Sequence, residues 1–176
     1  MRTVFFHEDD YCQCEVLSIV EKEYCLREMS EIDAFAEEHR DGQFYTDIYL
    51  REDSTHTLRE LNLRSEQLAE ALFFLPAFDR VETGYSSYRE ECKSTCARGL
   101  SDELAVFWES DEEGSVKSLW TSIWVNAESI DTARRVYTAL GRLAPLLLAD
   151  WSASVCVDLT DTSAIEQYLR EQYFER

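Results

Sequence analysis

The chain has 176 residues, 45% of them hydrophobic, with nine Phe, nine Tyr and four Trp against five Gly and two Pro. That composition excludes a disordered acidic chain and fits one domain with a real core and short connections. Thirty-six acids against 17 Lys and Arg give a net charge of −19, which disfavours direct nucleic-acid binding, because phosphate contacts need clustered cations.

Along the chain, strands and helices alternate. Residues 2–6 (RTVFF) and 11–17 (YCQCEVL) are rich in β-branched and aromatic residues and read as two strands, so 7–10 (HEDD) reads as the tip of a hairpin. Cys25, Met29, Ile32, Phe35 and Ala36 recur at helical spacing and predict a helix over about 22–40. Residues 44–50 alternate, with Phe44, Thr46, Ile48 and Leu50 on one face of an expected strand. Residues 64–75 read as a second helix closed by Pro76, and 80–87 as a strand ending in a turn at Gly84. No clean period runs through 88–101, which is expected to be a long loop.

The clearest hairpin follows, 103–110 and 116–125, joined by the acidic turn DEEG with Gly114 available for positive φ. Trp120 and Trp124 fall on one face of its second strand and Leu119, Ile123 and Val125 on the other, the mark of a strand covered on both sides. Ile130, Ala133, Val136, Tyr137 and Leu140 define a third helix. PLLLADW and SVCVDLT read as two more strands, and a capping box at Ser163–Glu166 opens the last helix. Hairpins outnumber strand–helix–strand units, so the expected fold is a single α+β domain, a mainly antiparallel sheet packed by three or four helices.

Candidate chemistry is sparse. The opening HEDDYCQC supplies metal donors, but Cys-x-Cys on a strand sends both thiols to one face, and Cys92 and Cys96 are spaced more loosely than a zinc knuckle. No Asp-x-Asp-x-Asp-Gly loop, G-x-S-x-G, P-loop, G-x-G-x-x-G or H-E-x-x-H occurs. His39 and His56 fall in polar stretches typical of exposed helix ends and loops. Paired carboxylates carry no signal among so many acids. No metal, cofactor or catalytic residue is therefore expected. The opening MRTVFFHEDD lacks the pattern of a secretory leader, and LAPLLLADW is short for a membrane span. A cytoplasmic protein with six free thiols is the expectation.

What remains is surface. The acids are spread along the chain, 16 against 6 bases in the first 60 residues and 20 against 11 in the rest. Such a surface attracts a cationic partner and speeds its capture. Candidate contacts are Glu8, Asp9 and Asp10 on the first tip, Asp111, Glu112 and Glu113 on the later one, and the turn with Tyr85, Ser87, Tyr88, Arg89 and Glu90. Aromatic and Arg side chains are the chemistry of protein interfaces. Core packing of the two tyrosines is the plainer alternative, and Trp151, beside Asp150 at a strand turn, is expected as a lid on the core.

FFHEDDYCQ, GYSSYREEC and LLLADW, with the chain's size and acidity, resemble a family of small acidic bacterial immunity proteins of polymorphic and contact-dependent toxin systems. The resemblance implies an α+β cytosolic protein that binds one cognate toxin domain, a basic one on the charge reading, and blocks it. Two other classes remain open: an acidic nucleic-acid mimic, and a small enzyme or ligand-binding domain with a pocket near Trp151, Cys156 and 88–101.

Overall fold

A computed structural model describes residues 1–42, 44–51, 58–85 and 87–174. Eleven strands among these form a six-stranded sheet, a three-stranded sheet and a two-stranded ribbon, with four α-helices. The large sheet contains β2 (Cys14–Ser18), β7 (Thr95–Ser101), β8 (Leu104–Ser110), β9 (Val116–Ile123), β10 (Leu146–Asp150) and β11 (Val155–Asp158). Its order is β11-β10-β2-β9-β8-β7, antiparallel throughout. The small sheet is β1 (Thr3–His7), β5 (Arg80–Tyr85) and β6 (Tyr88–Glu91), in which β1 pairs β5 in parallel. The expected class, a mainly antiparallel α+β domain, holds.

The large sheet is apolar on both faces because side chains alternate along a strand. Leu104, Val106 and Trp108 of β8, with Val16, Leu119, Leu146 and Leu148, pack against the helix layer. That layer is α2 (Ser65–Ala71), α3 (Ile130–Leu143) and α4 (Thr162–Phe174), which supply Leu68, Val136, Tyr137, Leu140, Ile165 and Leu169. The alternate residues Ala105, Phe107 and Trp120 face Val4, Phe6 and Val81 of the small sheet. Farther along the same face, Leu17, Leu147 and Ala149 meet Cys25 and Met29 of α1 (Lys22–Glu38). Each fully buried Leu, Val or Phe contributes about 1.5–3 kcal/mol, so this three-layer packing is the main support of the fold.

The first two strands do not form a hairpin. β2 lies between β10 and β9, while β1 sits in the other sheet. Residues 7–10 therefore cross between layers, through a short 3-10 turn at Glu8–Asp10. Cys12 follows at φ 53, a left-handed conformation that breaks the strand before β2 begins. Local alternation marks both strands as half-buried, and it carries no information about which neighbour each one pairs with.

Five further expectations change. Only Phe44–Tyr45 of 44–50 is a strand (β4), paired with Arg40–Asp41 (β3), and Phe44, Ile48 and Leu50 are exposed. The expected loop 88–101 is mostly β6 and β7. Its period is masked because the inward residues of β7 are the small Thr95, Ala97 and Gly99. Trp124 lies beyond the end of β9 and is 52% exposed, whereas Trp120 is 1% exposed. The last helix is capped by Asp161, whose Oδ1 accepts the Ser163 N–H at 2.8 Å, and Glu166 instead pairs with Arg134 of α3. The second helix is shorter than expected, ending at Ala71. The β8–β9 turn is as expected, with Gly114 at φ 82. His39 caps the end of α1, stacked on Phe35 at 3.9 Å; His56 lies outside the described residues.

Candidate interaction surface

Parallel pairing brings the C-terminal ends of β1 and β5 to one edge, with His7 opposite Gly84. The chain leaves β1 through Glu8–Asp10 and leaves β5 through the 85–88 turn, so two segments distant in sequence emerge together. The His7 ring meets the Tyr85 ring edge-on, centroids 4.9 Å apart, and His7 Nδ1 accepts the Asp9 N–H at 3.2 Å. Glu8 above all, with the charge of Asp9, raises the pKa of the Tyr85 hydroxyl. Across the turn Tyr88 is Tyr85's register partner; its hydroxyl donates to Glu90 Oε2 at 3.1 Å and is raised by that contact. Gly84 permits the turn: at φ 139, a Cβ there would lie 2.1 Å from the Tyr88 carbonyl oxygen.

The result is a small aromatic platform edged by acids. Tyr85 is 49% and Tyr88 61% exposed, so neither is buried in the core. Asp9, Asp10, Ser87 and Glu90 are exposed around them, and Glu8 is half-buried beneath Tyr85. Arg89 turns away: its guanidinium lies 4.2 Å from the Phe5 ring centroid and 3.8 Å from Glu82, on the outer face of the small sheet.

The second acidic tip closes the β8–β9 hairpin. Asp111 Oδ1 accepts the backbone N–H groups of Glu113 (3.1 Å) and Ser115 (2.9 Å), while its other oxygen lies 3.3 Å from Arg59. The Ser115 bond above all holds its carboxyl below the ordinary Asp range. Arg64 donates to the Glu113 carbonyl. Asp111 is thus a turn-forming acid, and only Glu112 and Glu113 present exposed carboxylates. Their neighbours Arg59 and Arg64 flank Leu58 and Leu63 of the helix-side core, while Tyr11, next to the first tip, donates to Glu109 Oε2 at 3.4 Å at the base of the same hairpin turn.

Behind the first tip lies a cavity of about 300 Å³ walled by Tyr11, Cys12, Ile32, Tyr49, Arg51 and Trp151. Arg51 stacks on Trp151, its guanidinium 4.0 Å from the ring centroid. Arg51 Nη1 and Trp151 Nε1 both donate to Glu15 Oε2, at 3.3 and 3.2 Å. Burial pushes the Glu15 carboxyl up in spite of these partners. Burial likewise pushes the Cys12 thiol up to about 12, so it is held protonated and non-nucleophilic. Trp151 serves this cluster as well as lidding the α1 core. Nothing in the sequence pointed to Arg51 or Glu15, which lie 36 positions apart. The 88–101 segment lines a different cavity, of about 440 Å³, between α2 and β7. Two of its cations are engaged within the chain: Arg98 Nη1 donates to the Leu75 carbonyl at 2.6 Å and Arg80 Nε lies 3.0 Å from Glu82.

Cys12 and Cys14 face opposite layers, Cys12 the small sheet and Cys14 the helices, because Cys12 precedes β2 in a left-handed conformation. The expectation that both thiols share a face is corrected. Among the described residues no three His, Cys, Asp or Glu come together as a metal site, and no helix is long and apolar enough to cross a membrane. Comparison with protein-family models, with curated proteins and with solved structures finds no match to the chain.

Proposed function

We propose that the chain is an immunity protein, an inhibitor that binds a basic toxin domain and occludes its active site through the Glu8–Asp10 and Tyr85–Glu90 surface. The carrying observation is the exposed Tyr85–Tyr88 pair edged by Glu8, Asp9 and Glu90. Exposed tyrosines supply anchor area at low entropic cost, and surrounding acids steer a cationic partner. A net charge of −19 extends that steering over the whole molecule. A nucleic-acid mimic is less well supported, because Asp111 is engaged in its own turn and offset by Arg59.

The test is capture of the product of the neighbouring gene, followed by rescue of cells expressing that product. Capture with rescue is the expected result. Failure to bind and to protect removes the immunity reading.

A further inference from the structure

Cys25, on the inward face of α1, and Cys156, on β11, meet beneath α1. Cys25 is fully buried among Leu17, Met29, Leu147 and Ala149, and Cys156 is half-buried at the rim of the same cluster. Cys156 Sγ lies 3.6 Å from Met29 Sδ, one helical turn along α1 from Cys25, and the two thiols influence each other's ionisation. A second contact ties the same seam, Ser154 Oγ donating to Asp33 Oδ1 at 2.9 Å. Both thiols belong to one packed cluster, and a disulfide requires their sulfurs to close to a bond length of about 2 Å.

We propose that Cys25 and Cys156 form a reversible modification site, oxidised by a hydroperoxide to a disulfide that staples α1 to β11. Exposure orders the roles. Cys156, reachable from solvent, attacks the peroxide; its sulfur gains an oxygen, the O–O bond breaks, and the other oxygen leaves as water, or as the alcohol from an organic peroxide. Cys25 then attacks the sulfenic sulfur, the S–S bond forms and the S–O bond breaks. The departing hydroxide takes the Cys25 proton as water, so two thiols are oxidised and one peroxide reduced. Cys25, aided by Lys22, lowers the pKa of the Cys156 thiol, which favours it as the attacking group. The site is independent of the immunity reading.

The test treats the full chain with stoichiometric hydrogen peroxide, alkylates remaining thiols, and maps peptides without reduction. The expected product joins the Cys25 and Cys156 peptides, reverts with dithiothreitol, and melts higher by about 5 °C or more, because the link closes a long loop. In Cys25→Ser, a cyclic 1,3-dione should trap sulfenic acid at Cys156. Recovery of both peptides alkylated, while exposed Cys96 or another cysteine takes the oxidant, overturns the proposal. So does a linkage of Cys156 to any other cysteine. Mapping the unmodified chain requires no variant to fold.

Discussion

The Tyr168 hydroxyl donates a 2.8 Å hydrogen bond to Asp150 Oδ2, and both residues are buried, Asp150 completely. Asp150 closes β10, and its other oxygen accepts the backbone N–H groups of Ser152 and Ala153 and the Ser152 hydroxyl, at 3.2, 3.1 and 2.7 Å. One carboxyl thereby shapes the β10–β11 turn and anchors α4 to the sheet. Tyr168→Phe should lower the unfolding free energy by about 1–3 kcal/mol, the cost of leaving a buried carboxyl oxygen unpaired. Urea titration checks this through a reduced midpoint at unchanged m-value. A neutral Phe would mean that the turn alone satisfies Asp150.

Trp120 and Trp124 should behave differently. Trp120 stacks on Phe107 at 5.4 Å and meets Phe6 and Tyr11 edge-on at 5.4 and 4.8 Å. Trp120→Ala should cost about 3–5 kcal/mol. Trp124→Ala, at a half-exposed position beyond β9, should cost about 1 kcal/mol or less. Equal costs in urea would place the two side chains in similar surroundings and refute the assignment of faces.

Glu15 carries a pH signature. Its folded pKa is raised, chiefly by burial, so the native state holds its proton more tightly than the unfolded chain. The associated stability is fully present below the unfolded pKa and is lost as pH rises through the folded value. Glu15→Gln removes this loss. The variant's stability relative to the parent should therefore increase from about pH 4 toward neutrality. Parallel urea titrations across that range test the slope; a relative stability that falls would mean that the pairing with Arg51 outweighs burial.

On the proposed interface, charge and aromatic changes should separate kinetically. Charge reversal at Asp9 and Asp10 should slow association and flatten its salt dependence, because exposed charges steer within about a Debye length. Tyr85→Ala or Tyr88→Ala should act on dissociation, by about 2 kcal/mol for an anchor. Reversal at Glu112 and Glu113, on the β8–β9 turn, should have the smaller effect on rate. Stopped-flow association over a salt series distinguishes these outcomes, and equal effects from both tips would move the contact surface.

With the chain kept reduced, a strong chelator should leave the melting temperature unchanged, and all six cysteines should titrate as thiols after denaturation. One equivalent of tightly bound zinc in the purified protein would overturn the reading of the opening acidic turn.

The residue pattern by itself determined the elements whose signals are local. The stripe Cys25–Met29 and the run Ile130–Leu140 declared α1 and α3, because a helix closes its hydrogen bonds within a few residues and must present one apolar face. The acidic turn before Gly114 declared the β8–β9 hairpin for the same kind of reason, and these elements together sufficed for the fold class. Pairing was another matter. A strand's ladder is made of backbone groups common to every residue, so alternation shows which face is apolar and leaves the neighbour open. Only the tertiary structure set β1 beside β5 and β2 between β10 and β9. That choice brought Tyr85 to Glu8, Trp151 and Arg51 to Glu15, and Cys156 to Cys25. Each pair is a long-range contact, selected by the joint burial of both sheet faces, and no stretch of residues read alone contains it.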